Sequence, residues 1–293
     1  WDLGPEPDPP AGVPAWCSTK KVDFLFVIAR YEEMGLFQSS LIQSLPGIHA
    51  WMSKLFADFD YQIMVITTPH GWGHGFCIKK YGECLGDFGC ATINEPFYPC
   101  WAPKTPGTIT YCDEAAGAGV VFPAGRGASN KPCGFPAGRR YLRSGDPNLA
   151  EAFECAARVG YNYSGLLFGK AIEGVVSDHH NGPLGCNEGF LRDDALLFIT
   201  VIGSGDDGTP QYNPYVYYQL VQAAKGEDPE AVFAHGVVWD ESTCESSHVD
   251  DVQHFVSYFE HSLETSLCVP NYAPGFAQAA KMALAICDQP PPS

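Results

Sequence analysis

The stretch Val22–Gly35, VDFLFVIARYEEMG, constrains the fold more than any other part of the chain. Its first half is a run of Val, Phe, Leu and Ile without a turn residue. Such a run predicts a strand buried on both faces, over 22–29. Its second half turns polar abruptly, as where a strand hands over to a helix. In open α/β sheets, ligands bind outside that carboxyl end. Ala29, Arg30, Tyr31, Glu32 and Glu33 are therefore the first candidates for a functional site.

Three further apolar runs, at 60–68, 194–203 and 231–240, read as buried strands. Between and after them lie segments with helical spacing at 36–56, 146–160, 170–180, 214–226, 249–262 and 273–287. Pro46 and Gly47 predict that the first of these breaks into two pieces. Asp146 and Pro147 read as the N-cap and first position of the second. Strands that alternate with helices predict an α/β fold, Rossmann-like, with a central, mostly parallel sheet and helices on both faces. The Pro-rich, acidic start predicts a linker over 1–20, followed by one domain over 21–288 and a Pro-rich tail over 289–293. Within the domain, residues 75–135 are rich in Cys, Gly and Pro and show little periodicity. They read as an insertion stapled by its own disulfides.

The chain has 12 cysteines, six of them within 77–133, with irregular spacing and no paired CxxC motifs. That pattern predicts a disulfide framework in an oxidising compartment, secreted or at the cell surface, rather than a zinc ribbon. Cys268 and Cys287 flank the last helix and are an expected pair; Cys155 and Cys186 flank the central helical region and are another. A net charge of -17 argues against nucleic acid and anionic membrane surfaces as partners. No apolar run is long enough to span a membrane.

The chain resembles von Willebrand factor A-type domains. The carrying residues are DFLFVI followed by Met-Gly and a helix. The resemblance extends to cysteine-rich secreted domains of bacteria, particularly myxobacteria, through GAGVVFPAGRGASNKPCG (117–134), RRYL (139–142), DPNLAEAFECAARVG (146–160), CNEGFLRDDALL (186–197) and SLCVPNYAPGFAQAA (266–280). It implies an adhesion site in which Asp-x-Ser-x-Ser, a Thr and a second Asp hold Mg²⁺ or Mn²⁺. Here Asp-x-Ser-x-Ser is replaced by Ala29-x-Tyr31-x-Glu33, the expected later Asp falls on Ser204, and Thr67 and Thr68 are candidates for the Thr. No metal is therefore expected at that position, and no other cofactor is implied.

What remains at this end is a rim rich in aromatics and His. Its candidate ligand-binding residues are Arg30, Tyr31, Glu33, His70, Trp72, Tyr163, Phe168, Ser204 and Trp239, with Gly203 and Gly205 expected to clear space above the sheet. The first functional reading is an extracellular binding module that holds a small molecule or a partner protein at this rim. The second is an enzyme or transition-metal site built from Glu33, His70 and His74, with Asp206 as a further oxygen ligand for Zn²⁺ or Ca²⁺ and Glu33 as a general acid/base over an apolar floor. The third is a structural surface protein with an inactive site. His179 and His180 are expected to mark a helix end.

Overall fold

The computed structural model describes residues 14–31, 33–68, 102, 107–161, 168–203, 213–240, 242–244 and 250–288. Six strands form one sheet: β1 (Lys21–Ala29), β2 (Asp60–Thr68), β3 (Leu142–Arg143), β4 (Leu196–Ile202), β5 (Val232–Val238) and β6 (Ser262–Ser266). Their order is β3-β2-β1-β4-β5-β6; β3 runs antiparallel at one edge and every other pairing is parallel. β1 and β4 are central neighbours, so the chain reverses its winding direction there. In a doubly wound sheet that switch point opens a crevice at the carboxyl ends of the strands.

The principal helices are α1 (Ala15–Thr19), α2 (Met34–Leu55), α3 (Leu149–Ala157), α4 (Phe168–Val176), α5 (Pro214–Ala224), α6 (Asp251–Ser257) and α7 (Ala273–Ile286). Side chains that alternate along the strands divide them between the two faces. Phe24 and Phe26 of β1 meet Phe276 of α7, and Phe26 meets Phe153 of α3. On β5, His235 faces Phe276 while the next residue, Gly236, faces Val256 of α6. On that second face Phe168 of α4 packs against Tyr217 of α5 and Phe255 of α6. No helix among the described residues is long and apolar enough to cross a membrane.

Several boundaries differ from the sequence expectation. The helix expected in two pieces over 36–56 is continuous through Pro46. Packing overrides the lost hydrogen bond, because α7 lies so close that a Cβ at Gly47 would sit 2.7 Å from that of Ala273. Ser44 Oγ also accepts the Tyr272 N–H at 2.7 Å. The linker expected over 1–20 ends sooner, since residues 15–19 form α1 with Trp16 fully buried. The helix expected from Asp146 starts at Leu149, capped by Asn148 in the left-handed region at φ 58°. The piece expected over 170–180 splits into α4 and a short turn over Asp178–Asn181, in which His180 is buried. The end of the helix expected over 249–262 is the start of β6.

The disulfides also differ. Cys287 pairs with Cys17 and Cys268 with Cys244, not with each other. Cys155 pairs with Cys133 and Cys186 with Cys112. The last two bridges leave the segment expected to staple itself and tie it to the helical region that follows. The four disulfides among the described residues fit an oxidising setting.

At the amino-terminal end of the sheet, Asp23 of β1 is fully buried among apolar neighbours. Its carboxylate accepts from the Arg192 backbone N–H at 2.9 Å and from Arg192 Nε at 2.8 Å. The same guanidinium donates to Asp60 Oδ2 at 2.7 Å and to the Val22 and Asp60 carbonyls. Lys225, also buried, donates to the carbonyls of Arg192 and Ala195 at 2.6 and 2.8 Å. Burial pushes the Asp23 carboxyl up to about 6, against the opposing pull of Arg192.

Two predictions follow from these buried groups. Asp23→Ala removes two charge-assisted hydrogen bonds but leaves Arg192 paired with Asp60, and should lower the unfolding free energy by about 1–3 kcal/mol, whereas Asp60→Ala, at an exposed carboxylate, should cost no more than about 1 kcal/mol; urea titration of both variants checks this. His235 is fully buried, with Nε2 at 2.9 Å from Thr265 Oγ1, and burial lowers its pKa to about 3. The folded state thus binds fewer protons than the unfolded one below the ordinary imidazole value, and stability is lost as pH falls. Measured against His235→Leu, the natural chain should lose about 1.4 kcal/mol per pH unit below pH ~6. Asp23 titrates with the opposite sign in both proteins and cancels in that difference.

Candidate functional site

The carboxyl ends of β1, β2, β4 and β5 converge at the switch point. β1 ends at Ala29, β2 at Thr68, β4 at Ile202 and β5 at Val238. Ala29 and Thr68 are register partners. Gly203 continues from β4 with φ 144° and donates its N–H to the Val237 carbonyl at 3.1 Å. A Cβ at Gly203 would lie 2.4 Å from the Ala29 Cβ. The space that Gly203 clears is therefore taken by the Ala29 methyl and is not open to a ligand.

The segment 117–134 seats on this end of the sheet beside β2. The Val120 N–H donates to the Val65 carbonyl at 2.7 Å. The fully buried amide of Asn187 brackets the turn, accepting the Gly119 N–H at 3.0 Å and donating to the Gly117 carbonyl at 2.9 Å. Gly117 has φ 80°, and a Cβ there would meet Val175 N at 2.3 Å, so only glycine threads this gap. At the other side, the Tyr161 ring lies against Gly35 and Gly127 with the Arg126 guanidinium 5.3 Å from its centroid. That ring fastens the segment to the first turn of α2.

Arg30 lies beneath this cover. It is buried, and its Nη2 donates to the Ala124 carbonyl at 2.5 Å. Arg30, Thr67, Val159 and the 117–123 backbone enclose a cavity of about 20 Å³, room for roughly one water. The Thr67 and Thr68 hydroxyls are buried and have no hydrogen-bond partner among the described residues. Arg30 is thus part of the support under the rim rather than of an open wall.

Phe168 is likewise a core residue, enclosed by Tyr217 and Phe255. Glu33 stands exposed at the N-cap of α2, not over the apolar floor expected of it. Tyr31 is half-buried and packs on the core. Trp239 is half-buried and meets Phe37 edge-to-face at 5.4 Å between centroids. Its neighbour Asp240 accepts from the Ser242 backbone and hydroxyl and from Thr243, and these bonds hold its carboxyl below the usual range. His70, Trp72, His74, Tyr163, Ser204 and Asp206, with Glu32 and Gly205, lie outside the described residues.

The described residues at this end do not by themselves make up the ligand set of the divalent ion that the resemblance implies. Mg²⁺ requires an octahedron of oxygen ligands. At the described positions Ala29 offers no donor, Asp240 is committed to its own turn, and the Arg30 guanidinium buried alongside repels a dication. Two hydroxyls, Thr67 and Thr68, do not make a site.

Sequence reasoning passed over Leu36 and Phe37. Leu36, on the first turn of α2, is 77 % exposed beside the Phe37–Trp239 pair. The signal was available: an apolar pair two residues after the polar ARYEE stretch. It also passed over a cluster at the opposite end of the sheet, where ligand atoms of Glu230, Glu260 and His261 all lie within 4.8 Å of one another.

In comparisons with known proteins, no family model and no curated sequence matches the chain. The rim therefore has to be judged on its own geometry. Gly203→Ala should cost about 3 kcal/mol of unfolding free energy, from the positive φ and the overlap with Ala29. Adding Ala29→Gly should return only the overlap part, which urea denaturation of the single and double variants resolves.

Proposed function

We propose that the protein is an extracellular binding module of the von Willebrand factor A type. It engages a partner protein through the rim at the carboxyl ends of the strands, without the adhesion-site metal. The strand order, with its switch point between β1 and β4, supports the placement of the site. The disulfides support an extracellular setting.

The single observation that carries the choice of partner is Leu36, an apolar side chain 77 % exposed on the first turn of α2, next in sequence to Phe37, which packs edge-to-face on the half-buried Trp239. Exposed apolar side chains, with aromatic groups beside them, form the centres of protein interfaces. The described cavity beneath the rim, at about 20 Å³, is far below the roughly 300 Å³ at which small-molecule pockets begin. This favours a surface contact over an enclosed ligand.

A panel of immobilised extracellular proteins, probed in the presence of EDTA, tests the proposal. A bound partner should survive EDTA, and Leu36→Asp, which leaves the melting temperature unchanged, should weaken it by at least about 2 kcal/mol. Binding that vanishes with EDTA and returns with Mg²⁺, or that Leu36→Asp leaves intact, would refute it.

A further inference from the structure

We propose a second site, unrelated to the rim, in which Glu230, Glu260 and His261 bind a divalent transition-metal ion at the amino-terminal edge of the sheet. Glu230 lies in the 3₁₀ turn Pro229–Ala231 that leads into β5, and His261 immediately precedes β6. Parallel pairing of these two strands, with Ala234 opposite Ser262, brings the two residues together. Glu260 adds the third donor, and all three ligand atoms lie within 4.8 Å of one another. His261 Nε2 and Glu230 Oε2 are 2.8 Å apart. Two ligands on one tetrahedral ion, each bonded at about 2.0–2.2 Å, lie roughly 3.4 Å apart, so the pair needs to open by only about 0.6 Å to share an ion.

The backbone around the cluster is held firmly. The Glu230 N–H donates to Asp228 Oδ1 at 3.0 Å, and the Glu230 carbonyl accepts from Nε1 of the buried Trp16 at 2.8 Å. The His261 carbonyl accepts the Ala234 N–H at 2.9 Å. Such anchoring limits the ordering cost when an ion is bound.

Charge points the same way. Two carboxylates converge here in a chain of net charge -17. Among the described residues no Lys or Arg pairs with Glu230 or Glu260; the one partner of either is the His261 imidazole. A divalent cation would compensate both carboxylates with His261 neutral. The donor set of one imidazole nitrogen and two carboxylates suits Zn²⁺ and its neighbours rather than Ca²⁺ or Mg²⁺, which prefer oxygen alone. Three protein ligands, with Glu260 exposed and the others half-buried, leave a coordination position for water. Bound there, the ion clips the turn before β5 to the corner before edge strand β6.

Calorimetric titration of the EDTA-dialysed full chain with Zn²⁺ tests the site, together with the melting temperature. The natural chain should bind a Zn²⁺ equivalent and melt higher with it. His261→Ala and the milder Glu260→Gln, on an exposed side chain that folding does not require, should each weaken that binding by more than the roughly 10–100-fold that loss of a mere outer-shell partner costs. A His70→Ala/His74→Ala double variant should bind as the natural chain does. No heat at millimolar Zn²⁺, or binding that persists in His261→Ala, or binding lost only in the His70/His74 variant, would overturn the assignment.

Discussion

The buried pair of Asp23 and Arg192 holds the sheet in its arrangement. A carboxylate in the middle strand of an apolar core is tolerated only when its charge and lone pairs are met. Arg192 meets them and uses its remaining donors on the first residues of both β1 and β2. Lys225 then holds the loop that carries Arg192 by its carbonyls. One end of the sheet is thus closed by a charged clamp, and the rim lies at the other end. The stability of the molecule and the freedom of its rim are separated in space.

At the free end the arrangement is of contacts too close for larger residues. Gly203 makes way for Ala29, Gly117 for Val175, and Gly35 and Gly127 for the Tyr161 ring. These contacts fill the volume in which a deep pocket would otherwise stand. Apolar surface is left instead on Leu36, at the start of α2. Among the described residues, the floor at this end is packed rather than hollow.

Much of the sheet was legible in the sequence because β1, β2, β4 and β5 are covered on both faces. Burial on both faces demands continuous apolar runs, and such runs announce themselves. β6, SLETS, is an edge strand of mixed polarity and half exposure, so its residues carry no such run. Pro46 misled because local propensity favours a break, while close packing of α2 on α7 holds the helix together. The cysteine pairs were illegible because neighbours along the chain are not neighbours in space. At the rim the location was readable from the polar switch after β1. The roles were not: Arg30 turns inward to a carbonyl 94 residues further along, a partner that only the folded loop supplies. The Glu230, Glu260 and His261 cluster was invisible for the same reason, since it exists only through the register of β5 with β6.

The bridge between Cys17 and Cys287 joins residues 270 apart in sequence whose Cα atoms are 5.5 Å apart. Nearly the whole fold lies within that covalent loop. A force applied to the chain on the outer sides of these two cysteines would run from one to the other through the sulfurs. The sheet, the clamp at Arg192 and the rim would carry almost none of it. A domain anchored in this way keeps its fold under tension that would unravel it if the bridge were reduced, so thiol chemistry at one point sets its mechanical strength.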